Sequence, residues 1–279
     1  MAYLRRFLSS ILSGCRGTKV LGVPDSINPE EEPEEIMPNF VSISSSYTAS
    51  SNQLAFNKPA GVSEGDLLMA VIYVIDNDGT AYDMLGPDNW LSEDFGVFGT
   101  TNQYLRHRLF TYADASEPST YTFTFDNGGT PRKMSGVLFS YRGGYRSAPG
   151  LPPPYTSWSR TEGGGDDFQA PDGVSSLALG PVWLDANEPQ KVVSVYAAAH
   201  ASSTPTMTVA LDGGNPTVLL VKTQNPQISI AVVEEIVQPG AHIDPGDAGW
   251  DTAYEGDLTV TASTAQVTDW SGMTVVLSK

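Results

Sequence analysis

The sequence predicts an all-β protein: an antiparallel, jelly-roll-like β-sandwich of two related halves. Three observations carry that prediction. Short apolar runs are punctuated by 27 Gly and 20 Pro spread along 279 residues, a pattern of strands and turns rather than of long helices. Within Tyr104 to Tyr141, a hairpin-like core of strands, Tyr121-Thr122-Phe123-Thr124-Phe125 and Ser135-Gly136-Val137-Leu138-Phe139-Ser140-Tyr141 alternate apolar with polar residues, the period of strands with one face in a core. This strand order then recurs. Leu105 to Tyr112, Tyr121 to Phe125 and Ser135 to Tyr141 are echoed by Gln227 to Val233, Asp257 to Thr261 and Trp270 to Leu277, with Ser-Gly near the start of each final strand.

The longest apolar run, Leu67-Leu68-Met69-Ala70-Val71-Ile72-Tyr73-Val74-Ile75, is continuous rather than alternating. That predicts a central strand buried on both faces, and its β-branched and aromatic members favour strand over helix. Lys191 to Ala199 is its counterpart in the second half. The organisation expected is an anchor arm over 1–19, a linker over 20–39 and a β-body over 40–279, with pseudo-repeats at about 40–143 and 166–279.

The arm carries Leu4, Phe7, Leu8, Ile11 and Leu12 at helical spacing, with Arg5 and Arg6 near its start. An isolated helix of this length is marginal in water, so the stripe predicts docking onto a larger assembly. Export is the competing reading, because Leu12-Ser13-Gly14-Cys15 resembles a lipobox, in which the cysteine carries a lipid. The linker holds Pro24, Pro29, Pro33 and Pro38 around Glu30-Glu31-Glu32-Pro33-Glu34-Glu35, a composition that keeps a chain extended.

Fifteen Lys and Arg against 32 Asp and Glu give a formal charge of −17. A phosphate backbone would be repelled, so nucleic acid is not an expected partner. A single cysteine allows no internal disulfide. No run approaches the roughly 18 apolar residues of a spanning helix.

Catalytic and metal-binding patterns are not readable, and no cofactor is expected. His107, His200 and His242 lie in separate segments without ligand spacing; His107, between two arginines, is expected at the surface. Asp76-Asn77-Asp78-Gly79 begins like a calcium loop, but Ala81 stands where the glycine is needed and Pro87 where the bidentate glutamate should be; a turn ending the long strand is the better reading. Glu93-Asp94, Asp166-Asp167 and Glu234-Glu235 are sequence neighbours, which on a strand point to opposite faces and cannot flank one glycosidic bond. The Pro- and Gly-rich connector from Arg142 to Gly165 holds Tyr145, Tyr155 and Trp158. These aromatics are candidates for stacking on a sugar or for contact with a neighbouring subunit.

A resemblance enters at Lys58-Pro59-Ala60-Gly61-Val62, Gly65-Asp66-Leu67-Leu68, Trp90, Tyr121 to Phe125, and Val137-Leu138-Phe139-Ser140-Tyr141-Arg142-Gly143. These motifs resemble those of β-sandwich proteins encoded among tailed-phage structural genes and in phage-derived particles. The likeness covers Phe40 to about Gly143 and the second half only loosely. Gly86-Pro87-Asp88-Asn89-Trp90 departs from it, because the family prefers Pro-x-Gly-Trp there. The resemblance implies a non-enzymatic virion component, a capsid decoration, spike base or fibre at the virion surface. Its expected partners are copies of itself, as a trimer or a pentamer, a capsid or tail protein reached through the arm, and a host surface polysaccharide. The alternative is a carbohydrate-binding adhesin on the bacterial outer surface, lipid-anchored at Cys15.

Overall fold

The computed structural model describes residues 37–76, 82–98, 104–143, 176–178, 182–184, 189–199, 207–211, 217–224, 227–237, 252–254, 258–262 and 269–277. Strands fill most of them, with no helix among the described residues. In the first half these are β1 (Asn39–Ser51), β2 (Gln53–Asn57), β3 (Leu67–Ile75), β4 (Met84–Leu85), β5 (Leu91–Phe98), β6 (Tyr104–Tyr112), β7 (Thr120–Phe125) and β8 (Arg132–Arg142). The second half contributes β9 (Ser176–Ala178), β10 (Val182–Leu184), β11 (Gln190–Ala199), β12 (Met207–Leu211), β13 (Thr217–Gln224), β14 (Ile228–Val237), β15 (Thr252–Tyr254), β16 (Leu258–Ala262) and β17 (Asp269–Leu277).

All ladders are antiparallel. The first half forms a large sheet, β1-β8-β3-β6-β5, and a small one, β2-β7-β4. The second half repeats this as β13-β14-β11-β17 and β12-β16-β9, with a short β10-β15 pair added. The repeat holds strand by strand: β3, β6 and β8 take the places of β11, β14 and β17, and β7 sits mid-sheet as β16 does. Among the described residues β1 has no counterpart. The stretch Tyr104 to Tyr141 is not one hairpin: β6 and β8 both flank β3, while β7 crosses to the small sheet.

Period-2 alternation explains the layering. On β3, Leu68, Ala70, Ile72 and Val74 point into a core shared with Leu54 and Phe56 of β2 and with Tyr121, Phe123 and Phe125 of β7. Leu67, Met69, Val71 and Tyr73 point the other way, into a second core with Val193, Val195 and Ala197 of β11 and with Ile228, Ile230 and Val232 of β14. The continuous run is thus a central strand buried on both faces, and the first half is itself a two-sheet sandwich. The halves meet through their large sheets, and this seam is the middle layer of the core.

Across the seam, β8 lies over β14 and β6 over β17. Lys133 at the start of β8 donates to Gln227 just before β14 at 2.6 Å, and Tyr141 near the end of β8 meets Glu234 near the end of β14. The two strands therefore run in the same direction. Because β6 corresponds to β14 and β8 to β17, the halves are related by an approximate twofold axis along the strands.

Local motifs explain the turns. Asn89 adopts φ 69°, the left-handed conformation in which glycine is most at ease. Asparagine tolerates that region better than most residues, and Trp90 N–H donates to Pro87 O at 3.1 Å to close the turn. Trp90 then packs edge-on against Tyr121 and Phe123, with ring centroids 5.5 and 4.9 Å away.

Candidate functional site

The residues expected to recognise partners, Tyr145, Tyr155 and Trp158 of the connector and Leu4, Arg5, Arg6, Phe7, Leu8, Ile11 and Leu12 of the arm, lie outside the described residues. So do Cys15, His200, His242 and Asp166-Asp167. His107 is described, and the surface expectation for it is corrected. The side chain is 1% exposed and its ring meets Phe125 edge-on at 5.8 Å. Strand parity is the reason: His107 shares a face of β6 with Leu105 and Leu109, the face that the small sheet covers.

What the fold does bring together is a set of ionisable groups at strand ends and in the seam. Asp66 and Asp76, 2% and 1% exposed, stand immediately before and after β3. Asp66 accepts from Arg142 Nε at 2.9 Å and Nη2 at 2.8 Å, and also from the Ser63 N–H at 2.8 Å. The same Nη2 donates to Gly61 O at 2.7 Å. Gly61, Gly65-Asp66 and Arg142, all part of the resemblance, thus meet at one joint. Asp76 accepts from Arg132 Nε at 2.8 Å, so the first residue of the apparent calcium loop is committed to a strand-end ion pair. Among the described residues no group of three or more acidic, His or Cys side chains is arranged to hold a metal.

The seam carries two further polar links. Arg106 of β6 donates through Nη1 to Gly272 O of β17 at 3.0 Å. On the opposite flank Tyr141 OH donates to Glu234 Oε2 at 2.8 Å, Lys191 Nζ lies 3.3 Å from the same oxygen, and its ammonium sits 5.4 Å from the centre of the Tyr141 ring. The Lys191 and Glu234 side chains are 5% and 15% exposed. Burial first, then the neighbouring Glu234 charge and hydrogen bond, push the Tyr141 hydroxyl well above its ordinary value. It therefore stays neutral and serves as a donor, and the cluster is a closed network in which each group already holds another.

Sequence reasoning passed over this cluster, although a signal was there. Lys191 and Glu234 interrupt apolar runs at positions whose parity matches Val193, Val195, Ile230 and Val232, the seam-facing residues. A charge in phase with a buried face needs a partner. The partner, Tyr141, comes from the other half of the chain. The chain matches no family model, no curated protein and no solved structure.

Proposed function

We propose that this chain is a non-enzymatic structural component of a bacteriophage-like particle, a rigid double β-sandwich displayed on the surface and attached through its N-terminal arm. The observation that carries this reading is the use made of the motifs behind the resemblance. Gly61, Gly65-Asp66, Trp90 and Tyr141-Arg142 serve as joints of the fold: the Asp66–Arg142 pair, the turn at Asn89-Trp90 and the Tyr141 link across the seam. Groups spent on joints in this way suit a scaffold that must hold its shape while it displays loops. The acidic character of the chain is compatible with display in water. The particle is expected to carry the protein as a closed homo-oligomer.

Mass spectrometry of purified particles tests the reading. The expected result is the presence of the chain with its N-terminal peptide, and its loss when residues 1–19 are deleted from a body that still folds. Absence from particles, together with acylated Cys15 in cells, would replace this reading with that of a surface lipoprotein.

A further inference from the structure

The repeat assigns the seam residues of β3, β6 and β8 counterparts on β11, β14 and β17. Ser135-Gly136 and Ser271-Gly272 occupy equivalent ladder positions, with Gly136 opposite Ile72 and Gly272 opposite Tyr196. On the other side Ile72 faces His107 and Tyr196 faces Ala231. Counted along the strands from these anchors, Lys191 corresponds to Leu67, Glu234 to Phe110 and Tyr141 to Leu277. The three apolar counterparts all belong to the seam core.

One flank of the seam is therefore closed by Lys, Glu and Tyr, and the related flank by Leu, Phe and Leu. Closure itself does not require the charges, since hydrocarbon fills the equivalent places on the other flank. Replacing a buried ion pair by well-packed apolar side chains is often neutral or stabilising. What the polar flank changes is which sheets fit each other. Two first-half sheets brought face to face would set Tyr141 against Phe110 on both flanks, leaving each hydroxyl without its carboxylate. Two second-half sheets would set Glu234 against Leu277 on both flanks, again without the tyrosine donor. Only unlike halves bring Tyr141 to Glu234 and Leu277 to Phe110.

We propose that the Tyr141–Glu234–Lys191 cluster is a pairing code. It makes the two large sheets complementary to each other rather than to themselves, and so disfavours seams between like halves of two copies of this chain. Strand repeats within one chain invite such exchange between copies, and a polar group whose partner is missing in the wrong pairing is an effective way to oppose it. The inference stands independently of any role in a particle.

The test uses the full chain. Wild type and the variant K191L/E234F/Y141L, which installs the apolar flank twice, are each unfolded as two differently tagged batches, mixed, and refolded at high concentration. Chains carrying both tags are then captured, and the mixed-tag fraction is counted from cross-links that join the large sheets of like halves of two copies, to which a native homo-oligomer with seams between unlike halves does not contribute. The expected result is a rise of about tenfold or more in the mixed-tag fraction over co-refolded wild type, the size expected when one charge-assisted hydrogen bond no longer discriminates. Tyr141→Phe, which keeps the ring and removes only the donor, is expected to move the fraction the same way by a smaller factor, and it decides the matter if the triple variant does not fold. A mixed-tag fraction equal to wild type in the folded variants would overturn the proposal.

Discussion

Arg142 grips Asp66 and Arg132 grips Asp76, so both ends of the β3–β8 ladder are closed by an arginine on β8 and a buried aspartate flanking β3. The two arginines are the last and first residues of their strand. The pairs differ in exposure: the Arg142 side chain is 52% accessible and that of Arg132 18%. Arg132→Met is expected to lower stability by about 1.5–3 kcal/mol, as for a charge-assisted hydrogen bond lost to a buried carboxylate. Arg142→Met is expected to cost less, with the effect shrinking as salt rises, because water and ions screen the exposed pair. Urea midpoints at low and high salt would check both. Equal losses at both ends would show that exposure does not set their strength.

Gly136 leaves no room for a side chain. A Cβ there would lie 2.8 Å from Phe56 Cζ and 2.8 Å from the Val71 carbonyl oxygen. Gly136→Ala is expected to destabilise by about 1–3 kcal/mol, the cost of overpacking a filled core. Adding Phe56→Leu should recover only part of that, because the Val71 backbone cannot retreat. Thermal unfolding of the single and double variants measures the difference, and full recovery would mean the ring was the only obstacle.

Asn89 holds a left-handed turn beneath Trp90, and its carbonyl accepts from Thr111 Oγ1 at 3.0 Å. Asn89→Gly is expected to be near neutral. Asn89→Val should cost at least about 1–2 kcal/mol, because a side chain with Cβ crowds the following carbonyl in that region and branching at Cβ adds to the crowding. Tryptophan fluorescence during denaturation would report the turn, although the chain's other tryptophans make a difference between variants the usable signal.

Three buried tyrosines set an alkaline limit. Burial raises Tyr121, Tyr141 and Tyr196 above their ordinary value, with Glu117 and Glu234 adding to the effect at the first two. A group whose folded value lies above its unfolded value contributes stability that is complete below the unfolded value, about 10 for tyrosine, and lost as pH rises beyond it. The tyrosine contribution is thus constant to about pH 9.5. It then falls with a slope of about 1.4 kcal/mol per pH unit for each tyrosine that ionises only on unfolding. Tyr141→Phe should make that alkaline slope shallower. An unchanged slope would show that Tyr141 ionises equally in both states.

How much of this was legible beforehand follows from where each signal sits. The exposed-buried alternation of Thr120 to Phe125 was visible because each residue's face depends only on its parity along its own strand. The two-sided burial of Leu67 to Ile75 was visible because no polar residue interrupts the run. His107 was misjudged because its arginine neighbours suggested water, whereas the small sheet covers the His107 face of β6 and the seam buries Arg108 on the other face. The charges of the seam cluster were legible by phase, but their partner was not, because Tyr141 and Glu234 are 93 positions apart and no local pattern records which strand will face which.

By itself the sequence determined the elements and their order: the all-β composition, the strand runs and the twofold recurrence anchored on Ser135-Gly136 and Ser271-Gly272. These depend on local periodicity and turn chemistry, which a single chain carries in full. Only the tertiary structure decided that the first half closes into its own sandwich, that the large sheets meet face to face, and that one flank of their seam holds Lys191, Glu234 and Tyr141 where the other holds Leu67, Phe110 and Leu277. The reason is physical. A buried charge or hydroxyl is stabilised by whatever the fold places against it, and that placement is a property of packed layers rather than of neighbouring residues.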